Sequence, residues 1–408
     1  MIDSLGTTVE LADVFSDESL LRALLRFEAA LAAAQARLGI VPHAAAETIG
    51  RVAEATVFDA DAIAWDGRRN ATIAIPFVKE LTATVHEADP IAAGFVHWGA
   101  TSQDLVDTAM ILLLRRAREI LARDQERLQL ALRALSDRHA HSVMLGRTLL
   151  QPAPPVTFGY KAAGWFGAAR RNWRRLSEAF EEGLQLQFGG AAGTLASYGD
   201  DGPALAVELG RELQLPVPEA PWHTHRDRLA AITAHCGIYT ASLGKMARDV
   251  ALLMQHEVAE AAEPGGGSSA MPNKRNPAGS VVALAAAARV PGLVAAFLSG
   301  MVQEHERAAG GWQAEWQTAV AVVEATGAAL YAMAGVAENL TVDPERMRAN
   351  LSAAGPAVLA EKAVMLLAPA IGRTAAQAQV AQSPPDNTGR PEDYLGAAEI
   401  FRRRLLDP

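Results

Sequence analysis

The chain has 408 residues, of which 50% are hydrophobic and 20% charged, which describes a folded protein with a large core and excludes a disordered one. Aromatic residues make up only 6%, so alanine and leucine must supply most of the packing, and that favours helix because alanine gives up no side-chain entropy there. A formal net charge of -9 argues against nucleic acid as the main partner, and the single cysteine, Cys236, excludes an intramolecular disulfide and a multi-cysteine metal site.

The N-terminal stretch MIDSLGTTVELADVF carries acidic residues where a leader would be basic and has no apolar run, which predicts a cytoplasmic protein. Leu20, Leu24, Phe27, Leu31, Ala34 and Leu38 then form a helical stripe that Gly39 stops. Shorter helical patterns reach Glu87, with Val78, Leu81 and Val85 on one face.

Five longer patterns follow. Leu114, Leu121, Leu128, Leu132 and Leu135 mark a helix from Asp104 to Arg138, roughly 50 Å long at ~1.5 Å per residue. A second runs from Phe158 to Glu182, and a third carries Leu229, Ile232, Cys236, Tyr239, Leu243, Met246, Val250 and Leu253 before a stop at Pro264. The fourth spans Pro277 to Arg307 with a kink at Pro291, and the fifth Trp312 to Leu340. Ala278–Met301 is apolar over a length that would span a membrane, but Arg289, Pro291 and its alanine content predict a helix buried on all sides by other helices. No membrane partner is expected.

Helices this long must lie side by side to bury their stripes. Their apolar faces are too broad for one chain's bundle, which predicts oligomerisation. Asp343-Pro344 opens a separate set of short helices as N-cap and N1. The fold class is therefore all-α, in three helical domains: 1–103, a central long-helix bundle at 104–341, and a small C-terminal domain at 342–408. The only strand candidate is a weak one at Leu184–Phe188.

Four stretches rich in Gly, Ser, Thr, His and Pro interrupt the helices: His97–Asp104, Gly146–Pro152, Gly189–Thr194 and Gly265–Pro277. Loops held by a rigid scaffold are where chemistry concentrates. In the last, three glycines free the backbone, two hydroxyls follow, and Lys274 and Asn276 precede a proline that opens a helix. A cation, an amide and a helix N-terminus suit a carboxylate; a flexible connector is the equal alternative. His223 and His225 have metal-like spacing without an accompanying acidic or cysteine cluster, so neither a metal nor any other cofactor is expected.

Gly267–Pro277, GSSAMPNKRNP, resembles the signature G-S-S-x-M-P-x-K-x-N-P of the fumarase/aspartase superfamily. His97–Asp104 resembles the family's first motif region through Thr101-Ser102, and Gly146–Gln151 its second. The resemblance covers about residues 95 to 310. It implies three domains and a homotetramer in which each active site draws its motif regions from three subunits. The family's lyases usually carry His after the Thr of the second region, but here that residue is Leu149, which cannot transfer a proton. Bacterial 3-carboxy-cis,cis-muconate cycloisomerases have an apolar residue there. They also carry segments similar to HWGATSQD, Trp222–Asp227, Gln303–Arg307 and Gly310–Trp316.

That resemblance implies a small anionic tricarboxylate substrate and an internal lactonisation that needs no acid for a leaving group. Ser268 would exchange the proton beside a carboxylate, its oxyanion held by N–H groups of Gly266–Ser269 and a helix N-terminus. Ser269 is either catalytic with it or a support for the loop. Lys274 and Asn276 would bind one carboxylate; Thr101, Ser102, Thr148 and Arg307 would serve the others. His97 either touches substrate or orients the Thr101 loop, and Arg226 either binds substrate or pairs with Asp227 or Glu315. Trp312 and Trp316 read as core. An adenylosuccinate-type or other amino-dicarboxylate lyase and a catalytically silent helical scaffold are the alternatives.

Overall fold

A computed structural model describes residues 2–271, 274–382 and 390–407. Helix α1 (Asp17–Arg37) starts where the Ser16 hydroxyl accepts the Ser19 N–H and ends before Gly39, whose φ of 73° an L-residue rarely adopts. The five long helices are α2 (Ser102–Arg138), α3 (Phe158–Gly183), α4 (Asp227–Leu253), α5 (Ala278–Gly300) and α6 (Gly311–Asn339). The eight residues of the α4 stripe are each no more than 5% exposed, the outcome expected when a 3/4 alternation places them on one helix face. The Asp343 carboxylate accepts the Arg346 N–H and starts α7 (Pro344–Ala353), with Pro344 in the first turn as expected.

The chain forms two compact units, Met1–Ala122 with Arg175–Ile238 and Arg289–Gly327, and Arg123–Arg174 with Tyr239–Ala288 and Ala328–Pro408. Each long helix contributes residues to both. In the first unit Leu11, Leu24, Phe27, Leu31, Ile111 and Val323 are buried; in the second, Leu128, Phe158, Tyr239, Val250, Leu330 and Met347 are.

Two expectations need correction. The helix expected to reach Arg307 ends at Gly300, so Gln303–Arg307 lies in a loop. The most apolar window of α5, mean hydropathy 2.1, is only 22% buried within its own chain. Ala283, Ala286, Val290 and Phe297 face inward while Val281 and Leu298 are exposed, because only one face of the helix meets the rest of the chain.

Strand structure also falls elsewhere than expected. Leu184–Phe188 has no ladder: the Leu186 N–H donates to Pro216 O, and the Thr108 hydroxyl and Trp222 indole donate to Gln187 O and Leu186 O. Instead β1 (Val143–Thr148) and β2 (Gln151–Thr157) form an antiparallel hairpin. Its two-residue turn is Leu149-Leu150, both left-handed at φ 49° and 63°, a geometry usually given to Asn-Gly and costing an L-residue about 1–2 kcal/mol each. Register shifts between Met144 and Gly146, where a Cβ on Gly146 would overlap the Pro154 carbonyl oxygen. Prolines in Q-P-A-P-P-V-T hide the strand pattern, but an edge strand tolerates them.

Candidate active site

In the first unit, Asp104 organises the site. It is fully buried at the start of α2, and its carboxylate accepts N–H groups from Thr101 (3.1 Å), Gly189 (2.8 Å) and Gly190 (2.8 Å), with the Gln187 amide at 3.2 Å. His223 Nε2 lies 3.0 Å from the same carboxylate. Burying a carboxylate is costly unless it is hydrogen-bonded, and here that requirement draws three separate loops together. Arg307 completes the cluster, donating to Thr101 Oγ1 (2.8 Å) and Ala191 O (3.1 Å); its buried Nε–H has no acceptor among the described residues. Thr101 and Ser102 therefore sit at the N-terminus of α2 beside a guanidinium.

His97 precedes this turn with a left-handed backbone, φ 54°. Its Nδ1 meets Glu28 Oε1 at 2.6 Å, and its backbone N–H donates to Glu28 Oε2 at 3.1 Å. Two residues on, Gly99 (φ 74°) has no room for a Cβ, which would overlap the Tyr198 hydroxyl. That hydroxyl donates to Trp98 O, as does the Gln35 amide at 2.7 Å. The His97–Thr101 turn is thus held from α1, α2 and the Tyr198 segment.

Of the two places open to Arg226, substrate contact or pairing with Asp227 or Glu315, the structure has the pairing with Glu315. Its side chain is 1% exposed, and it donates to Asp107 (2.7 and 3.1 Å), Glu315 (2.8 Å) and His223 O (3.5 Å), with a second nitrogen in ion-pair contact with Glu315 at 2.7 Å. Those contacts engage all three guanidinium nitrogens, and the group stacks 4.8 Å from the Trp222 ring. Burial alone would lower its pKa, but the two carboxylates outweigh this and raise it, so the charge is fixed. The Trp312 indole donates to the same Asp107 (2.9 Å), which agrees with a core role for that residue.

The second unit holds the other motif residues. Thr148 lies exposed at the end of β1, beside Leu149 at 96% exposure. Arg147 behind it makes a two-pronged ion pair with buried Glu260 (2.9 and 2.7 Å). The glycine loop closes on itself: Gly266 and Asn276 exchange backbone hydrogen bonds (3.1 and 3.0 Å), and the Asn276 side-chain amide donates to Gly267 O (3.0 Å). Ser268 is half-buried, and its Oγ accepts N–H groups from Met271 (3.1 Å) and Ala270 (3.4 Å). These donors follow the serine, whereas Gly266–Ser269 were expected to supply them. Ser269 and Lys274 are exposed, and Pro272 and Asn273 lie outside the described residues.

The N-terminus of α5 was expected to attract a substrate carboxylate. It is occupied by the protein's own: buried Glu263 accepts the Gly279 N–H (2.8 Å), the Ser280 N–H (3.2 Å) and the Ser280 hydroxyl (2.7 Å). Sequence reasoning missed Glu28, Asp104, Glu260 and Glu263. One signal was legible: Glu28 interrupts the apolar stripe between Leu24 and Leu31, where an acidic residue needs a partner. Among the described residues no group of three His, Cys, Asp or Glu side chains could hold a metal.

A lyase family model matches residues 5–292. The chain is 48% identical over 362 residues to 3-carboxy-cis,cis-muconate cycloisomerase of Bradyrhizobium diazoefficiens, covering 88% of this chain and 80% of that protein. It is 45% identical to the protein of the same name from Pseudomonas aeruginosa, covering 94% and 84%. The solved structure of the 3-carboxy-cis,cis-muconate lactonizing enzyme from Pseudomonas putida, 38% identical, covers 100% of this chain and 98% of that one with a TM-score of 0.94. With a loop closed around Ser268 and hydroxyls gathered at the start of α2, the chain belongs to the lyase family whose members share this helical fold.

Proposed function

We propose that the chain is a cytoplasmic cycloisomerase that closes 3-carboxy-cis,cis-muconate to 4-carboxymuconolactone, a step in protocatechuate breakdown by the β-ketoadipate pathway. The observation that carries this reading is Leu149, an apolar residue at the exposed hairpin tip where an eliminating lyase of the family has its histidine. A lactonisation internal to the substrate expels no group, so no acid is required at that tip. The 48% identity to the Bradyrhizobium diazoefficiens protein supports the same reading.

One substrate carboxylate oxygen bonds to an alkene carbon, and the π pair moves to the neighbouring carbon, which lies beside another carboxylate. Ser268 gives its proton to that carbon and later recovers one from solvent. Its transient oxyanion is met by the Ala270 and Met271 N–H groups, which already point at Oγ. Lys274 binds a carboxylate; Thr101, Ser102, Thr148, His97 and Arg307 bind the others. Asn276 holds the loop through Gly267 O and retains one amide N–H for the substrate. Fixing carboxylate and alkene in attack geometry contributes up to about 7–11 kcal/mol. The test is the loss of the diene ultraviolet band on mixing enzyme with 3-carboxy-cis,cis-muconate, with no turnover of adenylosuccinate. The reverse pair of results would end this reading.

The active form is a homotetramer whose sites are completed by motif regions from different copies. An apolar helix left 22% buried within its own chain supports this, since an exposed face of that kind calls for a partner. Sedimentation equilibrium should give four times the chain mass, and Val281→Glu with Leu298→Glu on the exposed face of α5 should shift it toward the monomer. A monomeric wild type would exclude shared sites.

A further inference from the structure

We infer that Glu28 is a positioning residue of the site, holding the His97 imidazole with its proton on Nδ1 so that Nε2–H acts as a cationic donor to a substrate carboxylate. This rests on the reading that the substrate is a tricarboxylate. A carboxylate on the apolar stripe of α1 is expensive to bury, yet Glu28 is 1% exposed. Both of its oxygens are spent on one residue: Oε1 on the His97 ring and Oε2 on the His97 backbone N–H. A carboxylate that grips ring and backbone together fixes the imidazole plane as well as the left-handed turn beneath it.

With Nδ1 taken, Nε2 is the remaining ring position, and the side chain keeps 16% exposure. Burial, the largest influence, pulls the ring's pKa down; the charge and hydrogen bond of Glu28, with Asp104 behind it, outweigh that and leave it raised. The charged groups acting on the ring are Glu28 from α1 and Asp104 from α2; beyond them His223 Nε2 lies on the same Asp104 carboxylate, the Tyr198 hydroxyl bonds Trp98 O, and Arg307 is held at Thr101. Asp104 has its own N–H donors, but both Glu28 oxygens meet only His97, so a neutral ring would leave the buried Glu28 charge without a cation. The imidazolium beside Thr101 therefore keeps its charge to higher pH than a free imidazole does, in a chain of net charge -9.

The sign of the pH effect follows. The wild-type cation persists until pH rises through the raised pKa, above the ordinary imidazole value of about 6.5. In Glu28→Gln the lowering by burial dominates, and the charge is lost below that value. For Glu28→Gln, KM for 3-carboxy-cis,cis-muconate should rise about tenfold or more between pH 6 and 8 with kcat little changed. Wild type should show that rise only at higher pH, displaced in the direction of its raised pKa, and Glu28→Asp should restore most of the wild-type profile. A folded Glu28→Gln with the wild-type profile, or with kcat and kcat/KM lowered equally at every pH, overturns the inference.

Should Glu28→Gln fail to fold, ¹⁵N spectra of histidine-labelled wild type, assigned with His97→Gln, decide the matter. A His97 pKa above that of the histidines in the unfolded chain supports the pair, and one at or below it overturns it. If wild type does not consume 3-carboxy-cis,cis-muconate, the substrate reading fails, while the histidine titration still reports on Glu28.

Discussion

Ser268→Ala should lower kcat on 3-carboxy-cis,cis-muconate by about 10²–10⁴-fold, the range that a positioned proton-transfer group contributes. KM should stay within a few-fold, because Ser268 has no part in holding the three carboxylates. Its Oγ accepts two backbone N–H groups within the loop, an arrangement that favours the oxyanion over the alcohol. Ser269→Ala should cost less than about tenfold, since Ser269 is exposed and touches no such donors in the described loop. Steady-state kinetics on both variants, with calorimetric binding of the tricarboxylate to Ser268→Ala, checks this. A Ser268→Ala enzyme retaining most of its turnover would remove the serine from the mechanism.

Arg226→Met should destabilise the protein by about 3–5 kcal/mol, because it strands Asp107 and Glu315 as buried carboxylates without their cation. Arg226→Lys should recover only part of this, since one ammonium cannot reproduce a guanidinium fork between two acids. Urea unfolding at a single protein concentration measures the loss, a precaution needed because self-association adds to apparent stability. A change below about 1 kcal/mol would mean that the pair is solvated and Arg226 is free to serve substrate.

Helix content and the long stripes were readable in advance because periodicity is local: the α4 stripe needs only its own spacing to be recognised. The same reading overran at Arg307, where polar residues of helical propensity continue past Gly300 into a loop. It also passed over the hairpin, because Leu149-Leu150 is not turn chemistry and β2 is interrupted by proline. There the backbone adopts left-handed angles that local preference opposes, so propensity points the wrong way.

The site divides along the same line. Thr101-Ser102, Ser268 and Lys274 announce themselves by residue type and order. Asp104 and Glu263 do not, because a carboxylate reads as solvated surface until one knows which N–H groups surround it, and Glu28 shows only as an acid on an apolar stripe, without its partner. The sequence by itself determined the helical class, the loops that carry chemistry, and the apolar excess of α5. Tertiary structure decided which buried acid meets which donor: Asp104 joins three loops, Glu28 grips His97, Glu263 takes the α5 N-terminus, and Arg226 is locked between two carboxylates. The physical reason is range. Helical periodicity is set by neighbours three or four residues away, whereas the partners of these buried charges stand 16 to 119 residues away, which only folding brings within hydrogen-bonding reach.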